Sequence, residues 1–598
     1  MSDLRKKFAG DMVSLYRAIL AREKGTVIKD WGGRIAVALV YPNSYRIGMS
    51  NLGFQVVYRI LNERDDVAAE RAFLPEGQEM SLYLQTGKPL LSLESQSPLR
   101  NFHLIAFSLS FENDYPNLLK ILEMAKVSIL AEERSEPFPM VIAGGVAAFL
   151  NPEPLAPFVD CFLLGEAEAS LNPFIDLLAG FAPRPPPKEE MLKGLAARAR
   201  KGLYVPSLYQ PEYHEDGTLK SFLPKGNGIP EKIRAACSDS TAEAGGEVAV
   251  SAITTPDTEF SDMVLVELGR GCGRSCRFCA AGYVYRPPRT GRAEALREAI
   301  EKALRRTDRV GLLSAAVSDT PGIEALTEFI TERGGHFSVS SLRANSLTKG
   351  LLVQLKRSGQ KSLAIAPEAG SDRLRRVLNK HLTRDQIVEA VRLISRTGDF
   401  TIRLYFMLGL PTETKEDVYQ IHDLVKKIKH HMVKESASRG RIGQIKLSVN
   451  CFVPKPFTPF QWLPFDPVPS LKEKQRWLKR SMSKEGGVKV NFDVPKWAYL
   501  QALLSRGDRR VAPMLLKAHQ WEGDWPRVFR SSKVNPDFFV YRPREANELL
   551  PWDFIDHGIW KGHLRREFDL ALKAQESDVC RVGECYRCGV CSRMNGSA

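Results

Sequence analysis

Short apolar, β-branched runs alternate with helix-like spacing along most of this 598-residue chain, and this alternation constrains the fold more than any other feature. It begins at 34–41 (RIAVALVY) and returns at 104–110 and 140–143. Because repeated strand–helix–strand units pair their strands in parallel, the pattern predicts α/β domains. At about 100–200 residues per domain, the length predicts three or four domains and excludes a single small binding module.

The alternation and its interruptions divide the chain into five segments. An amphipathic opening (1–24) precedes a Rossmann-like, doubly wound domain (25–184) that ends at a proline-rich stretch. A linker with a small connecting subdomain (185–256) leads to six strand candidates within 257–465, which suit a partial (βα)6 barrel with its chemistry at the carboxyl ends of the strands. The last segment (466–598) is predicted to be helical and irregular, and it carries a cysteine cluster.

Composition excludes several classes of protein. Hydrophobic residues make up 43% of the chain and charged residues 26%, which argues against disorder, collagen and coiled coil. Apolar runs of about 18 residues and a signal-peptide core are both absent, so we expect a cytoplasmic protein without a membrane partner. The net charge is +15, and 466–598 holds 24 basic against 17 acidic residues. Such a tail suits either a nucleic-acid partner or a plain basic surface.

Three cysteines, Cys272, Cys276 and Cys279, fall within eight residues just after the first barrel strand candidate. Nearby glycines loosen this loop, and a short loop loses little entropy when it closes around a metal site. Three thiolates can hold three irons of a cubane cluster and leave the fourth iron open to chelate an amino and a carboxylate group. S-adenosylmethionine (SAM) offers that pair of groups. Zinc held by three cysteines and a histidine is the structural alternative.

Further motifs surround this triplet. An aromatic residue, Phe278, precedes the third cysteine, and four motifs end strand candidates at 341–345, 364–371, 407–413 and 452–459. With these motifs, most of 263–462 resembles the radical SAM superfamily, and within it the methylthiotransferase-type barrel that includes tRNA-modifying enzymes. The resemblance implies a [4Fe–4S] cluster, SAM, an external electron donor such as flavodoxin or ferredoxin, and cleavage of SAM to methionine and a 5′-deoxyadenosyl radical that abstracts a substrate hydrogen.

The same resemblance implies cofactor-binding roles for Phe278 and for four residues near strand ends. Glu368 is a candidate ligand of the SAM ribose or amino group, with an ion pair to the nearby Arg373 as the alternative. Ser318 stands where the superfamily binds the amino group through a glycine-rich motif, although the glycines are absent. Arg403 is either a lumen cation for the SAM carboxylate or a residue on a polar strand face. Gly409 is expected in a turn that lines the adenine pocket or simply joins a strand to a helix.

The first domain carries glycine-bearing motifs at 140–145 (MVIAGG), 151–155 (NPEPL) and 159–168 (VDCFLLGEAE). Glycines after a strand permit close backbone approach to a ligand. These motifs resemble the cobalamin-binding domain of one radical SAM subfamily. That subfamily places D-x-H-x-x-G after its first strand, whereas 41–48 is YPNSYRIG and has no histidine. We therefore expect a sheet that shapes the substrate entrance, and cobalamin bound without the histidine is the alternative.

Four more cysteines, Cys580, Cys585, Cys588 and Cys591, fall within twelve residues near the end of the sequence. Zinc knuckles usually separate two cysteine pairs by a dozen or more residues, whereas C-x-x-C-x-x-C is typical of ferredoxin-type ligation. The spacing favours an auxiliary iron–sulfur cluster, with zinc as the alternative.

Together these features predict a radical SAM enzyme whose substrate the sequence does not name. The barrel resemblance and the basic tail favour modification of RNA or of a ribosome-associated substrate, since basic residues contact phosphates and aromatic rings stack on bases. One alternative is cobalamin-dependent methylation or rearrangement of a small molecule. The other is a non-catalytic iron–sulfur protein that binds RNA.

Overall fold

The computed structural model describes residues 11–238, 247–440 and 442–594. Most of the predicted loop at 238–247 and the first ten residues of the amphipathic opening lie outside these ranges. Helix α1 (Met12–Leu20) follows, and its apolar face packs on the first sheet through Leu15 and Ile19. Within the described ranges, no helix has the length and hydropathy needed to cross a lipid bilayer.

The first domain is built on a six-stranded sheet in the order β2-β1-β3-β4-β5-β6, which is parallel except for the last pair. In this order the sheet reverses direction between β1 and β3, and parallel sheets bind ligands at such a topological switch point. Its strands are β1 (Ile35–Tyr41), β2 (Val67–Phe73), β3 (Leu104–Ser108), β4 (Met140–Gly144), β5 (Cys161–Leu163) and β6 (Leu203–Tyr204). Its other helices are α2 (Tyr45–Met49), α3 (Leu52–Glu63), α4 (Gln78–Thr86), α5 (Tyr115–Met124), α6 (Val146–Leu150), α7 (Ala167–Ala179) and α8 (Lys188–Arg198).

The domain boundary expected at 184 is too early. Helix α8 forms within the predicted linker, and β6 adds an antiparallel edge to the same sheet. The rest of that segment is small, as expected: a hairpin of β7 (Tyr209–Tyr213) and β8 (Leu219–Pro224) precedes β9 (Ile233–Arg234). Strand β9 pairs with β20 (Ile555–Asp556), which ties the connecting segment to the end of the chain.

The six predicted barrel strands all form, and they lie in two parallel sheets, β10-β13-β14 and β15-β16-β17-β18-β19. The third predicted strand is divided at Ser340 into β14 and β15. The strands are β10 (Val264–Glu267), β13 (Arg309–Leu313), β14 (His336–Val339), β15 (Ser341–Leu342), β16 (Ser362–Glu368), β17 (Thr401–Leu408), β18 (Ile445–Cys451) and β19 (Val488–Phe492), and a short antiparallel pair adds β11 (Gly269–Arg270) and β12 (Arg289–Thr290). The helices are α9 (Ala281–Val284), α10 (Ala293–Leu304), α11 (Ile323–Glu332), α12 (Lys349–Arg357), α13 (Asp372–Val377), α14 (Arg384–Thr397), α15 (Lys415–Ser436) and α16 (Val468–Met482).

Strand β19 lies beyond the boundary expected at 465, so the barrel sheet extends into the C-terminal region. The remainder of that region consists of helices joined by irregular segments and the short strand β20. It contains α17 (Pro495–Arg506), α18 (Ala512–Gln520), α19 (Trp525–Ser531), α20 (Asp537–Val540), α21 (Lys561–Leu572) and α22 (Val590–Met594).

The glycines behind β4 and β5 allow backbone to pack on backbone. Gly145 has φ +99°, and a Cβ there would stand 2.5 Å from the carbonyl oxygen of Leu109. Gly165 has φ +114°, and a Cβ there would stand 2.1 Å from the carbonyl oxygen of Ala236. The glycines that suggested close approach to a ligand are therefore explained by contacts within the protein.

Gly145→Ala tests this explanation. The new methyl group meets the Leu109 backbone at an unfavourable φ, so we expect the substitution to cost roughly 2–4 kcal/mol of unfolding free energy. Calorimetric or circular-dichroism melting measures the loss. Gly226→Ala is the control, because a Cβ there meets nothing within 4 Å. Equal melting of Gly145→Ala and the wild type would contradict the packing role.

Candidate cofactor pocket and adjoining cavity

The loop that carries Cys272, Cys276 and Cys279 leaves the carboxyl end of β10 and is closed at its base by the pairing of β11 with β12. The loop folds tightly back on itself at Gly271. That residue has φ +80°, and a Cβ would stand 2.3 Å from the carbonyl oxygen of Tyr285.

Distant residues hold this loop in place. The Asn379 side chain donates to the carbonyl oxygen of Ser275 (3.2 Å), and the backbone N–H of Cys580 donates to that of Gly273 (2.7 Å). Arg277 is fully buried and pairs with Glu567 of α21 at 3.1 Å. The cysteine loop is thus fixed jointly by the barrel and by the C-terminal region.

The three thiols of the loop lie close enough to influence one another. Burial raises the pKa of the Cys279 thiol to about 11, and the charges of Cys276 and Cys272 add to that effect. Burial likewise raises the pKa of Cys272. Neighbouring buried thiols that resist deprotonation are a donor set that a bound metal would convert to thiolates. In the described ranges, no three metal-binding side chains come close enough to hold a single ion.

All three cysteines line one pocket of about 160 Å³ at the carboxyl ends of the barrel strands. Phe278 and Glu368 line it too, so five of the predicted site residues are brought together. The other polar side chains in its wall are those of Ser341, Arg343, Asn345 and Lys380.

Glu368 is aimed into the pocket by an irregularity in β16. The register with β17 shifts between Ile365 and Glu368, and Glu368 adopts φ +67°, which is uncommon for a non-glycine residue. Its partner is Lys380, whose Nζ lies 2.9 Å from Oε1. The alternative pairing with Arg373 is wrong, because Arg373 pairs with Asp417.

Lys380 and Arg343 are the site residues that the sequence interpretation missed. Burial lowers the pKa of Lys380, but the charges of Glu368 and Cys276 outweigh it and raise that pKa overall. Its Nζ also lies 5.8 Å from the centre of the Phe278 ring. Arg343 donates to the carbonyl oxygen of Lys380 at 2.9 Å. The sequence feature that could have indicated Arg343 is its position inside the strand-end motif at 341–345.

Three other predicted cofactor residues lie outside the pocket wall. Ser318 lies behind it, where its hydroxyl accepts from the backbone N–H of Arg343 at 3.0 Å. Gly409 has φ +81° and donates to Glu413 within its own turn, which supports the strand-to-helix reading. Arg403 is exposed on β17, beside Ala364 of β16.

A cavity of about 580 Å³ separates the first domain from the barrel. Its floor is the carboxyl edge of β1, β3, β4 and β5, at the topological switch of that sheet, and its wall is mainly apolar. Tyr285, Ser314 and Ser340 contribute from the barrel side, and Ala315 lines both this cavity and the cysteine pocket. The two spaces therefore adjoin.

The segment that replaces the expected histidine motif does not line this cavity. Asn43 donates to Asp114 (2.8 Å), Tyr45 donates to Glu23 (2.6 Å), and Arg46 pairs with Glu259 (3.3 Å). These side chains are engaged in contacts within the protein.

The second cysteine set packs against the first cysteine loop. Besides the contact of Cys580 with Gly273, Arg286 donates to the Ser275 hydroxyl (2.8 Å) and hydrogen-bonds Cys588. Burial raises the pKa of Cys580, and the charges of Cys588, Cys585 and Cys591 add to this effect. The four thiols are therefore near enough to one another for their charges to interact.

Comparison with known proteins agrees with this geometry. Residues 53–206 match the family described as radical SAM proteins, N-terminal, and residues 266–425 match the radical SAM superfamily. An uncharacterised protein of Methanocaldococcus jannaschii is 30% identical over 88% of this chain and 98% of its own length. A tRNA-2-methylthio-N(6)-dimethylallyladenosine synthase of Desulforamulus reducens is 24% identical over 27% of this chain and 38% of its own.

Among solved structures, the cobalamin-dependent SAM radical enzyme OxsB with aqua-cobalamin is similar, at 14% identity and a TM-score of 0.43, over 82% of this chain and 67% of that one. With its cysteine loop, its parallel barrel and a relative that matches over nearly its whole length, the chain belongs to the radical SAM superfamily.

Proposed function

We propose that Cys272, Cys276 and Cys279 bind a [4Fe–4S] cluster and that the 160 Å³ pocket beside them receives SAM. The observation that carries this proposal is that the three thiols and the Glu368–Lys380 ion pair line one pocket at the carboxyl ends of the strands. When bound, the cluster and SAM supply one-electron cleavage to a 5′-deoxyadenosyl radical, with the electron from an external donor such as flavodoxin or ferredoxin.

The residues of this chain would orient SAM in that pocket. Lys380 holds Glu368 in place through their ion pair, and the Glu368 carboxylate would accept hydrogen bonds from the ribose hydroxyls or the amino group. Phe278, within the cysteine loop, presents its ring to the pocket, and the ring centre lies 5.8 Å from the Lys380 ammonium group. Ser318 acts indirectly, because it holds the backbone of Arg343.

Cys276→Ala tests the assignment of the first cluster. We expect anaerobically reconstituted wild type to release 5′-deoxyadenosine with dithionite and the variant to release none, because one iron loses its ligand. The nucleoside is measured by chromatography. Cys237→Ala is the matched control, since Cys237 lies outside both cysteine sets. Nucleoside released by Cys276→Ala at the wild-type rate would refute the assignment.

Substitution of the Glu368–Lys380 ion pair separates a SAM-binding role from a structural one. Lys380→Met leaves Glu368 without its counter-charge, so we expect about 1–3 kcal/mol of lost stability and roughly tenfold weaker SAM binding. The double variant Glu368→Gln/Lys380→Met removes both charges and should regain stability while SAM binding stays weak. Titration calorimetry and thermal melting give the two readouts.

Arg373→Met is the control for this pair, because Arg373 lies outside the pocket. It should leave SAM affinity unchanged. A double variant that binds SAM as tightly as the wild type would show that the pair has no role in binding.

The 580 Å³ cavity is proposed as the chamber for the second reactant. Its size is in the range of small-molecule sites, and its contact with the cysteine pocket through Ala315 puts a bound group next to SAM. A substrate in this chamber fits the expectation that the first sheet shapes the substrate entrance. Cobalamin-dependent methylation or rearrangement, with a corrinoid in the same place, is the alternative, and the expected histidine is absent.

RNA or a ribosome-associated substrate remains the second candidate. The C-terminal region has a net positive charge, and its exposed rings Trp497, Trp560 and Tyr586 could stack on bases. The partial similarity to a tRNA-modifying synthase points the same way. A polynucleotide substrate would make binding steeply dependent on salt.

The C-terminal cysteines are proposed to hold an auxiliary iron–sulfur cluster. The ferredoxin-like spacing supports it, and so does the packing of Cys580 and Cys588 against the first cysteine loop. Zinc is the alternative, and it needs four sulfurs within about 2.3 Å of one point.

Iron counting distinguishes these metals. On a four-iron stoichiometry, wild type should hold about eight irons per chain, and a variant with Cys272, Cys276 and Cys279 all changed to alanine should retain about four. Elemental analysis and labile-sulfide assay measure both. A triple variant that holds one zinc and no iron would show that the tail is a zinc site.

A further inference from the structure

Three positively charged side chains stand side by side across the last three strands of the barrel. Arg403 of β17 is in register with Lys446 of β18, and Lys446 is in register with Lys489 of β19. Residues in register on parallel strands lie about 4.8 Å apart and point to the same face. Like charges so placed repel one another, which costs stability unless an anion compensates them.

This row faces the interior of the barrel. The neighbouring residues Leu404 and Leu447 are fully buried on the opposite face, beneath the helices. Arg403 lies beside Ala364 of β16, and two residues further on Ala366 lines the cysteine pocket. The face that bears the cations is therefore the one that leads to the pocket.

The three cations stand without acidic partners. Arg403 and Lys489 are exposed and Lys446 is half-buried, and no carboxylate within 11–238, 247–440 or 442–594 lies in ion-pair distance of any of them. Among the helices on the outer side of the same sheet, by contrast, arginines do have an acidic partner, because Arg392 and Arg396 both pair with Glu435.

Polar side chains continue the same face from the cations toward the carboxyl ends of the strands. Tyr405, Ser448 and Asn491 form the next row in register, and Met407 and Asn450 form the row after it. At about 3.3 Å per residue, the four steps from Arg403 to Met407 span about 13 Å. A molecule held at the cation row could thus extend to the level of the cofactor pocket.

We propose that Arg403, Lys446 and Lys489 bind the phosphates of the substrate, either a diphosphate or successive phosphates of a nucleic-acid strand. The three cations span about 10 Å, which exceeds the reach of one phosphate and suits two or more. The polar rows above them line the path of the remaining substrate toward the pocket. The inference rests on the proposed function, because it assigns the substrate of that same site.

Binding to cluster-loaded protein tests the assignment, with inorganic pyrophosphate and a single-stranded RNA decamer as probes. The variant Arg403→Gln/Lys446→Gln/Lys489→Gln keeps side-chain size and removes three charges. We expect at least a tenfold loss of affinity for the probe that binds. For RNA, the salt slope should fall by about 2, at roughly 0.7 per lost phosphate contact.

The control removes three charges from the first domain with Lys88→Gln, Lys126→Gln and Lys201→Gln, all exposed lysines. It should bind both probes as the wild type does. Lys489→Gln alone, at the exposed end of the row, should lose severalfold in affinity for the probe that binds. This single variant replaces the triple variant in the test if the triple variant unfolds. Binding of pyrophosphate identifies a phosphorylated small molecule, and binding of RNA alone identifies a polynucleotide.

Three results would overturn the proposal: neither probe binds, the triple variant binds as the wild type does, or both triple variants lose affinity equally. A fourth would reassign Arg403, namely that Arg403→Gln weakens SAM and leaves phosphate affinity intact. Failure of the proposed function is read separately, as wild-type protein that releases no 5′-deoxyadenosine with dithionite.

Discussion

The loop that carries Cys272, Cys276 and Cys279 has irregular backbone, so its buried N–H and C=O groups need hydrogen-bond partners from other parts of the chain. This requirement connects the loop to distant segments. The carbonyl oxygen of Ser275 takes a hydrogen bond from Asn379, and that of Gly273 takes one from Cys580. Asn379 in turn accepts from the backbone N–H of Ser577. The C-terminal region is thereby part of the cofactor site, although it is separated from the loop by roughly 300 residues in sequence.

The sheet of the first domain and the barrel strands both direct the carboxyl ends of their strands toward the same region. The edge of the first sheet forms the floor of the 580 Å³ cavity, and the ends of the barrel strands hold the cysteine pocket. Ala315 lies between the two spaces. A radical generated in the pocket would therefore be bordered by an apolar chamber on one side and by the polar rows of β17–β19 on the other.

Sequence reasoning succeeded where a signal is local. All six barrel strands are apolar, β-branched runs, and the cysteines of each set lie within twelve residues of one another. It failed for β2 and β19, whose sequences VAAERAF and VKVNF place charged residues inside short strands. In β2, Arg71 is fully buried because Glu23 and Glu94 pair with it from distant segments. The sequence around β2 does not indicate that distant carboxylates will pair with Arg71 and allow it to be buried.

The same dependence on distant contacts explains why sequence reasoning missed Lys380. Arg373 follows Glu368 by five residues, and this proximity in sequence made Arg373 the expected alternative partner of Glu368. Helix α13 intervenes and turns the chain, so the partner stands twelve residues away and Arg373 joins Asp417 instead. The apolar cavity was likewise invisible, because it lies between two sheets whose arrangement depends on contacts across the whole chain.

The charges that border the two reactant spaces differ in one decisive respect. Around the apolar cavity, Arg270 pairs with Glu166, Glu168 and Glu267, so every charged side chain of its wall belongs to one ion-pair network. The carboxylates of this network outnumber Arg270, so the wall does not attract a bound anion. The row on β17–β19 keeps its charge, and unpaired cations held in register cost stability that only an anion recovers. The proposed substrate chamber and the proposed phosphate-binding row thus differ in charge, because carboxylates are in excess around the first and three cations stand in register along the second.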